Sequence, residues 1–165
     1  MSTLLPPLFV TSALLCSLVA GLLFAFAVVI MPGIGNLGDR EFVRAFQEID
    51  GVIQRGQPLF GLVWLGSAVA LVAGLVLGVG QLAGTEKILL ITAAGLYLLG
   101  VQAPTFTFNV PLNNALQALK VAEASDAALA SARQAFEARW NLWNSVRTVM
   151  ATLAAAILLV LLQLQ

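Results

Sequence analysis

The sequence predicts an all-α integral membrane protein: a four-helix bundle with an amphipathic helix after span one and a long extension of helix four. Of its 165 residues, 60% are hydrophobic and 10% are charged, whereas an ordinary soluble domain carries about 25% charged residues. The chain also contains four long stretches without a charged residue. This composition leaves too little polar surface for a soluble fold, so we interpret residues 1–165 as a single membrane domain.

The charge-free stretches are long enough to cross a bilayer as helices. A helix needs about 20 apolar residues to cross the hydrocarbon core, and its backbone groups must be hydrogen-bonded internally in lipid. The predicted spans are residues 8–31, 59–79, 88–108 and 145–164.

Helical periodicity continues between the first two spans. The apolar residues at this spacing are Phe42, Phe46, Ile49 and Ile53. Asp39 precedes them as an N-cap candidate. We therefore predict an amphipathic helix over 39–53 that lies on the membrane surface, with Arg40, Arg44 and Glu48 turned to water.

The fourth span is predicted to continue a helix that begins outside the membrane. Ser125 and Asp126 are typical of a helix start, and no Gly or Pro follows them as far as Leu164. The helical extension covers residues 126–144. A helix of about 40 residues is roughly 60 Å long, about twice the hydrocarbon thickness.

Basic residues lie mainly on one side of the predicted spans. The connections after spans one and three carry six Lys or Arg residues, and the opposite side carries only Lys87. By the positive-inside rule, loops 32–58 and 109–145 are cytoplasmic and both termini face outside. We expect the protein in the bacterial inner membrane.

Composition also limits the chemistry. The chain has no His, a single Cys16 and a net charge of zero. His-based metal sites, thiolate clusters and Ser-His-Asp catalysis are therefore excluded, and no electrostatic field favours nucleic acid. We predict no metal site and no nucleic-acid partner, and the lipid bilayer is an expected partner.

Two sequence features concern helix packing. Small residues recur every four positions in the second span, at Gly66, Ala70, Gly74 and Gly78. Such a face allows close helix approach, either within the bundle or in a homo-oligomer. The exits of spans one and three are also similar, because Pro32 and Pro111 are each followed five residues later by a Leu. A true repeat would make the protein two copies of one hairpin.

Two polar stripes interrupt the third and fourth spans at similar depth. The third span carries Gln102, Thr105, Asn109 and Asn113. The fourth helix carries Trp140, Trp143, Asn144 and Arg147. Spacings of three and four place each set on one helix face. Since span three ends on the side where span four begins, we expect the two faces to meet.

A pocket is the functional interpretation of these stripes. Arg147 needs an anion, a carboxylate or carbonyl partners, because an unpaired buried charge is expensive. Aromatic residues expected to close the other walls include Phe24, Phe60 and Trp64. The alternative is structural: the Trp residues anchor the interface, Arg147 reaches the headgroups and the amides join helices.

At these residues the chain resembles a membrane family that includes the anthrone oxygenases. The resemblance rests on NVPLNNAL at residues 109–116 and RWNLWNSVRT at residues 139–148. It covers most of the chain and implies four membrane helices. Fungal members oxidise an anthrone to an anthraquinone with dioxygen, without metal or flavin, so the resemblance implies a protein with no cofactor and with a lipophilic small molecule as a partner.

The residues are compatible with such chemistry. An anthrone must lose a proton to form an anion that reacts with dioxygen. Trp140 and Trp143 could help form a slot for the ring, while Arg147, Asn144 and Asn109 could hold the oxyanion. Candidates for the base are Glu48, Asp50 and Glu137. A substrate that ionises unaided would need none of them.

Two functions follow as hypotheses. The first is a cofactor-independent, oxygenase-like enzyme acting on a lipophilic aromatic substrate of the anthrone or quinol type. The second is a non-catalytic membrane protein that binds a lipid or quinone, or serves as a small subunit of a membrane assembly.

Overall fold

The structure, a computed structural model, describes residues 4–165, and these residues form helices and short connections with no strand. The helices are α1 (Leu5–Gly35), α2 (Asp39–Gln54), α3 (Pro58–Gly78), α4 (Gly84–Gln117) and α5 (Asp126–Gln163). Residues 1–3, which belong to the N-terminus predicted to face outside, are not among the described residues.

Four of these helices, α1, α3, α4 and α5, are long and apolar enough to cross a membrane. The predicted four-helix membrane architecture is therefore confirmed, and the chain is an integral membrane protein. The helices that contain spans one and three extend beyond the predicted spans. Helix α1 continues past residue 31 to Gly35, and α4 continues past residue 108 to Gln117.

Proline chemistry explains how these two helices continue. Three π-helical turns occur in the described chain, at Phe26–Ile30, Leu98–Gln102 and Thr105–Asn109. The residue after each turn precedes a proline, namely Pro32, Pro104 or Pro111. Proline lacks an N–H and its ring clashes with the carbonyl four residues back. A widened turn with an i→i+5 bond, such as Val110 N–H to Thr105 O, accommodates the ring without ending the helix.

The two similar exits therefore share one local structure. In α1 and in α4, a π turn, one residue and a proline are followed by a short helical segment. The similar sequences around Pro32 and Pro111 therefore have similar backbone conformations. The hairpin repeat itself stays a prediction.

The four long helices share an apolar core. Helix α1 packs against both α3 and α5, and α4 packs against α5. The largest buried side chains here include Phe9, Leu90 and Tyr97, each fully enclosed. This core fixes the four spans relative to one another.

The small-residue face of α3 is used inside the bundle. A Cβ at Gly66 would lie 3.2 Å from Leu15, and one at Gly74 would lie 3.3 Å from Phe9. At Gly78 the nearest atom, in Leu90, would be only 2.7 Å away. Ala70, the fourth residue of the set, is buried. These small residues therefore form a packing seam within the bundle, and a homo-oligomer through the Gly66/Ala70/Gly74/Gly78 face stays a prediction.

A second core joins α2 to the first half of α5. Phe42 and Phe46 are buried there, and the Phe46 ring lies 4.5 Å from that of Phe136 and 5.5 Å from that of Trp140. Helix α2 matches the predicted range, but its apolar face is covered by protein, where we expected lipid. This packing places α2 over one end of the bundle.

Two arginines secure this end. Arg40, expected in water, donates to the carbonyls of Val121 and Ala124 and pairs with Asp126 at 2.8 Å. Arg133 donates to the Gly35 carbonyl at 2.7 Å, and it also bonds Leu37 O, Asp39 and Glu137. The connections between spans are therefore tied to α5.

Candidate functional site

A cavity of about 220 Å³ lies where α2 meets the ends of the spans. Its polar lining consists of Asp50, Thr105, Asn109, Asn113, Asn144 and Arg147. Its aromatic walls consist of Phe26, Phe46, Phe60, Trp64, Phe106 and Trp140. The two polar stripes predicted from the sequence therefore meet around one cavity.

The π turn of α4 brings three polar side chains to this cavity. An α-helix has 3.6 residues per turn, so a residue four positions further on lies slightly past a full turn. Thr105, Asn109 and Asn113, each four positions apart, would therefore point in progressively different directions from a regular α-helix. The wider turn at Thr105–Asn109 compensates for part of that drift. As a result Thr105, Asn109 and Asn113 all line the cavity.

Arg147 is buried with neutral partners. Its side chain, on a residue only 4% exposed, donates to Thr105 Oγ1 and to Asn144 Oδ1, each at 3.0 Å. The guanidinium also lies 5.8 Å from the centre of the Trp140 ring. No carboxylate among residues 4–165 pairs with it, and its Nε has no partner there. The cavity therefore holds a cation that lacks a counter-charge.

Asp50 is a buried carboxylate on the same cavity. It is 4% exposed; Oδ1 accepts from Asn113 at 2.8 Å, and Oδ2 accepts from Gln54 at 2.7 Å and Gln117 at 3.0 Å. A carboxylate offers about four acceptor positions. Asp50 accepts three hydrogen bonds from side-chain amides, and only one of them is to Oδ1. Oδ1 can therefore accept another hydrogen bond.

The two charges lie towards opposite ends of the cavity. Asp50 contacts Asn113, and Arg147 contacts Thr105. These two contact residues are eight positions apart, at most about 12 Å along α4, because the rise of 1.5 Å per residue holds only outside the π turn. No ion pair joins Asp50 to Arg147 within the described chain. A ligand can therefore lie between a carboxylate and a guanidinium.

Amides fix the groups between these ends. The indole N–H of Trp140 donates to Asn113 Oδ1 at 2.7 Å, and Asn109 Nδ2 donates to the Trp140 carbonyl at 3.3 Å. Asn144 Nδ2 donates to the Leu23 carbonyl at 3.1 Å. Buried Asn109 Oδ1 has no partner among residues 4–165. Unpaired buried polar atoms are rare and mark a place where water or ligand bonds.

The cavity contains eight of the eleven residues predicted for the site. They are Arg147, Asn144, Asn109, Trp140, Thr105, Asn113, Phe60 and Trp64. Their binding of a ligand stays a prediction.

Three predicted residues lie outside the cavity lining. Phe24 is 56% exposed; Phe26, two positions on and so on the opposite helix face, forms the wall. Trp143 stacks on Phe108 with ring centres 3.8 Å apart. Gln102 ends a separate π turn and leaves its buried Nε2 unpaired within the described residues.

The sequence analysis missed the wall formed by α2. Phe46, Asp50 and Ile53 line the cavity. The sequence analysis assigned Phe46 and Ile53 to the apolar face of a helix on the membrane surface. The available signal was Asp50 itself, because its spacing from Phe46 and Ile53 places a carboxylate within the apolar face.

The three candidate bases differ in location. Glu48 is exposed, and Glu137 pairs with Arg133 at 2.7 Å. Asp50 lines the cavity. Geometry therefore favours Asp50 among the carboxylates that the sequence left open.

Fold and site together define a four-helix integral membrane protein with a polar cavity at one end of its bundle. A family model described as anthrone oxygenase matches residues 50–157, more than half of the chain. The chain therefore belongs to the anthrone oxygenase family. The match starts at Asp50 and includes both polar stripes. Comparisons with curated proteins and with solved structures find no match.

Proposed function

We propose that the protein is a membrane-embedded, cofactor-independent oxygenase acting on a lipophilic aromatic substrate of the anthrone or quinol type. The observation that carries this proposal is the separation of Asp50 and Arg147, two buried charges on one cavity without an ion pair between them. We place the enzyme in the bacterial inner membrane, with loops 32–58 and 109–145 in the cytoplasm.

Proton removal is the first step. An anthrone carries an acidic C–H opposite its carbonyl, so deprotonation at carbon places negative charge on the carbonyl oxygen. Asp50 Oδ1 accepts the proton as general base. Arg147, whose Nε has no partner among the described residues, stabilises the oxyanion as a fixed hydrogen-bond donor. Asn144 orients the guanidinium by accepting from it, and the second amide N–H of Asn109 adds a donor beside it.

Dioxygen is the co-reactant of the second step. The substrate anion supplies the electrons for a new C–O bond, and the proton held by Asp50 completes a hydroperoxide. Loss of the remaining hydrogen from that carbon, with cleavage of the O–O bond, gives the carbonyl of the quinone and releases hydroxide. Hydroxide takes up the proton and becomes water, so one oxygen atom enters the product and the other enters water.

The cavity walls suit a flat ring system. Phe26 and Phe46 pack against Trp140 with ring centres 5.6 and 5.5 Å away. Phe60 and Trp64 stack at 5.5 Å on the α3 side. Aromatic rings attract one another in offset and edge-to-face arrangements, which supports an aromatic substrate between these walls.

Oxygen uptake in nanodiscs tests the proposal. The purified protein, given anthrone and ¹⁸O₂, is expected to accelerate uptake over empty nanodiscs and to place one labelled atom in each anthraquinone. Absence of acceleration for anthrones and quinols alike would refute the enzyme. If anthraquinone then still quenches tryptophan fluorescence, the non-catalytic alternative of a lipid- or quinone-binding protein or assembly subunit replaces it.

A further inference from the structure

The residues that line the cavity differ in exposure according to their chemistry. Five of the six polar lining residues are buried, namely Asp50, Thr105, Asn109, Asn144 and Arg147, and Asn113 is half-buried. The most exposed side chain of the lining is Phe106, at 63%, and Phe60, Trp64 and Val110 are half-buried. The cavity therefore has a polar floor and an apolar mouth.

The mouth lies between two membrane helices. Helix α3 contributes Phe60 and Trp64, and α4 contributes Phe106 and Val110. The two helices approach each other near the α3–α4 turn, where a Cβ added to Gly78 would lie 2.7 Å from Leu90. Further along they are tied by the Ser67–Tyr97 hydrogen bond of 2.6 Å. The mouth residues lie further from the α3–α4 turn than that hydrogen bond.

The surroundings of the mouth are apolar. Next to it on the outer surface of α3 are the exposed residues Leu59, Leu62 and Leu65. Both helices are long and apolar enough to span a membrane. Exposed leucines on a membrane span face lipid, since only hydrocarbon accepts them at no cost. The mouth is therefore continuous with the lipid-facing surface.

We propose that this mouth is a lateral entrance from the bilayer and that it selects substrates bearing a hydrocarbon chain. The oxygen-bearing part of the ring contacts Arg147 and Asp50 on the floor, while the chain passes between Trp64 and Phe106 into the lipid. This inference rests on the proposed function and narrows its substrate class to an alkylated or prenylated aromatic resident in the membrane.

Two probes with one ring system test the entrance. Anthraquinone and an anthraquinone carrying a long unbranched alkyl chain are titrated into nanodiscs, and quenching of the cavity residues Trp64 and Trp140 is measured against ligand per lipid. Both probes are expected to bind, the alkylated probe with the higher affinity at equal ligand per lipid. Binding of the bare ring alone would overturn the entrance and leave the proposed function intact, whereas binding of neither would remove both.

Variants at the mouth provide the second test. Val110→Phe narrows the mouth and is expected to weaken binding of the alkylated probe about tenfold more than that of the bare ring. The matched control is Leu99→Phe, on the same helix, 74% exposed and outside the cavity. An equal loss for both probes with Val110→Phe would contradict an entrance.

A further variant covers the case in which Val110→Phe does not fold. Phe106→Ala removes a largely exposed ring, so it widens the mouth with little effect on the core. Association of the alkylated probe is expected to become severalfold faster, measured by stopped-flow quenching. An unchanged rate would show that the ligand enters elsewhere.

Discussion

The indole nitrogen of Trp140 and the amide oxygen of Asn113 are joined by a 2.7 Å hydrogen bond. Since the indole N–H is only a donor, it fixes the orientation of the amide. The Asn113 NH₂ group must then face Asp50. One aromatic residue therefore forms a wall of the cavity and also orients the contact to its carboxylate.

Trp140→Phe tests this orientation. The ring wall is retained, but Asn113 can rotate and present its oxygen to Asp50, which would misplace the base. We expect kcat for anthrone oxidation to fall about tenfold with little change in KM, since positioning errors act on the reacting geometry. Trp143→Phe, whose ring stacks on Phe108 outside the cavity, is the control. Equal effects of both variants would refute the positioning role.

Asp50→Asn tests the base itself. The substitution keeps size and removes the proton-accepting oxygen, so kcat is expected to fall by about 10²–10⁴, the usual contribution of a positioned base. Oxygen uptake with anthrone is the measurement. Glu48→Gln, on the exposed face of the same helix, is expected to retain the parental rate. An active, folded Asp50→Asn enzyme would mean that the substrate ionises without help.

Much of the fold followed from the sequence because lipid imposes simple rules. The lengths of the charge-free stretches predicted the four spans. Spacings of three and four residues predicted that Asn109 and Arg147 would lie on helix faces that meet. The polar partners of Arg147 could also be predicted, because a buried guanidinium requires polar neighbours.

Other features depend on tertiary packing or on local backbone change. Phe24 and Phe26 are equally apolar, and only the rotation of α1 decides which one lines the cavity. Asp50 was named as a base but its place in the wall was missed, because the partner of the α2 face could be lipid or protein. The π turns escaped prediction as well, although each ends two residues before a proline such as Pro111.

Gly78→Ala tests the internal role of the small-residue face. The added Cβ would lie 2.7 Å from Leu90, so we expect a loss of about 1–3 kcal/mol in the free energy of unfolding from overpacking. Gly95→Ala, with no atom within 4 Å of the new Cβ, is the control and should be neutral or stabilising. Chemical unfolding in detergent measures both. A stable monomer from Gly78→Ala that had lost an oligomer would instead assign this face to a subunit contact.

Pro111→Ala tests the contribution of the π turn. Without the proline ring, α4 can return to regular α-helical bonding, which rotates Thr105 and Asn109 relative to Asn113. We expect an unchanged or higher melting temperature together with a loss of anthrone oxidation. Pro58→Ala, at the first turn of α3 where proline disturbs no internal bond, should keep its activity. Full activity of Pro111→Ala would show that the π turn does not depend on the proline or does not matter for the site.

Arg147→Met separates a functional arginine from a structural one. The substitution removes a buried charge without a counter-ion and fills similar volume, which offsets the loss of the bonds to Thr105 and Asn144. We expect the free energy of unfolding to change by less than about 2 kcal/mol, while anthraquinone binding and oxygen uptake are lost. Arg139→Met, on the exposed surface of the same helix, should alter neither property. If Arg147→Met is strongly destabilised, or if it still binds anthraquinone, the guanidinium serves the packing of α4 on α5 and does not hold a ligand oxygen.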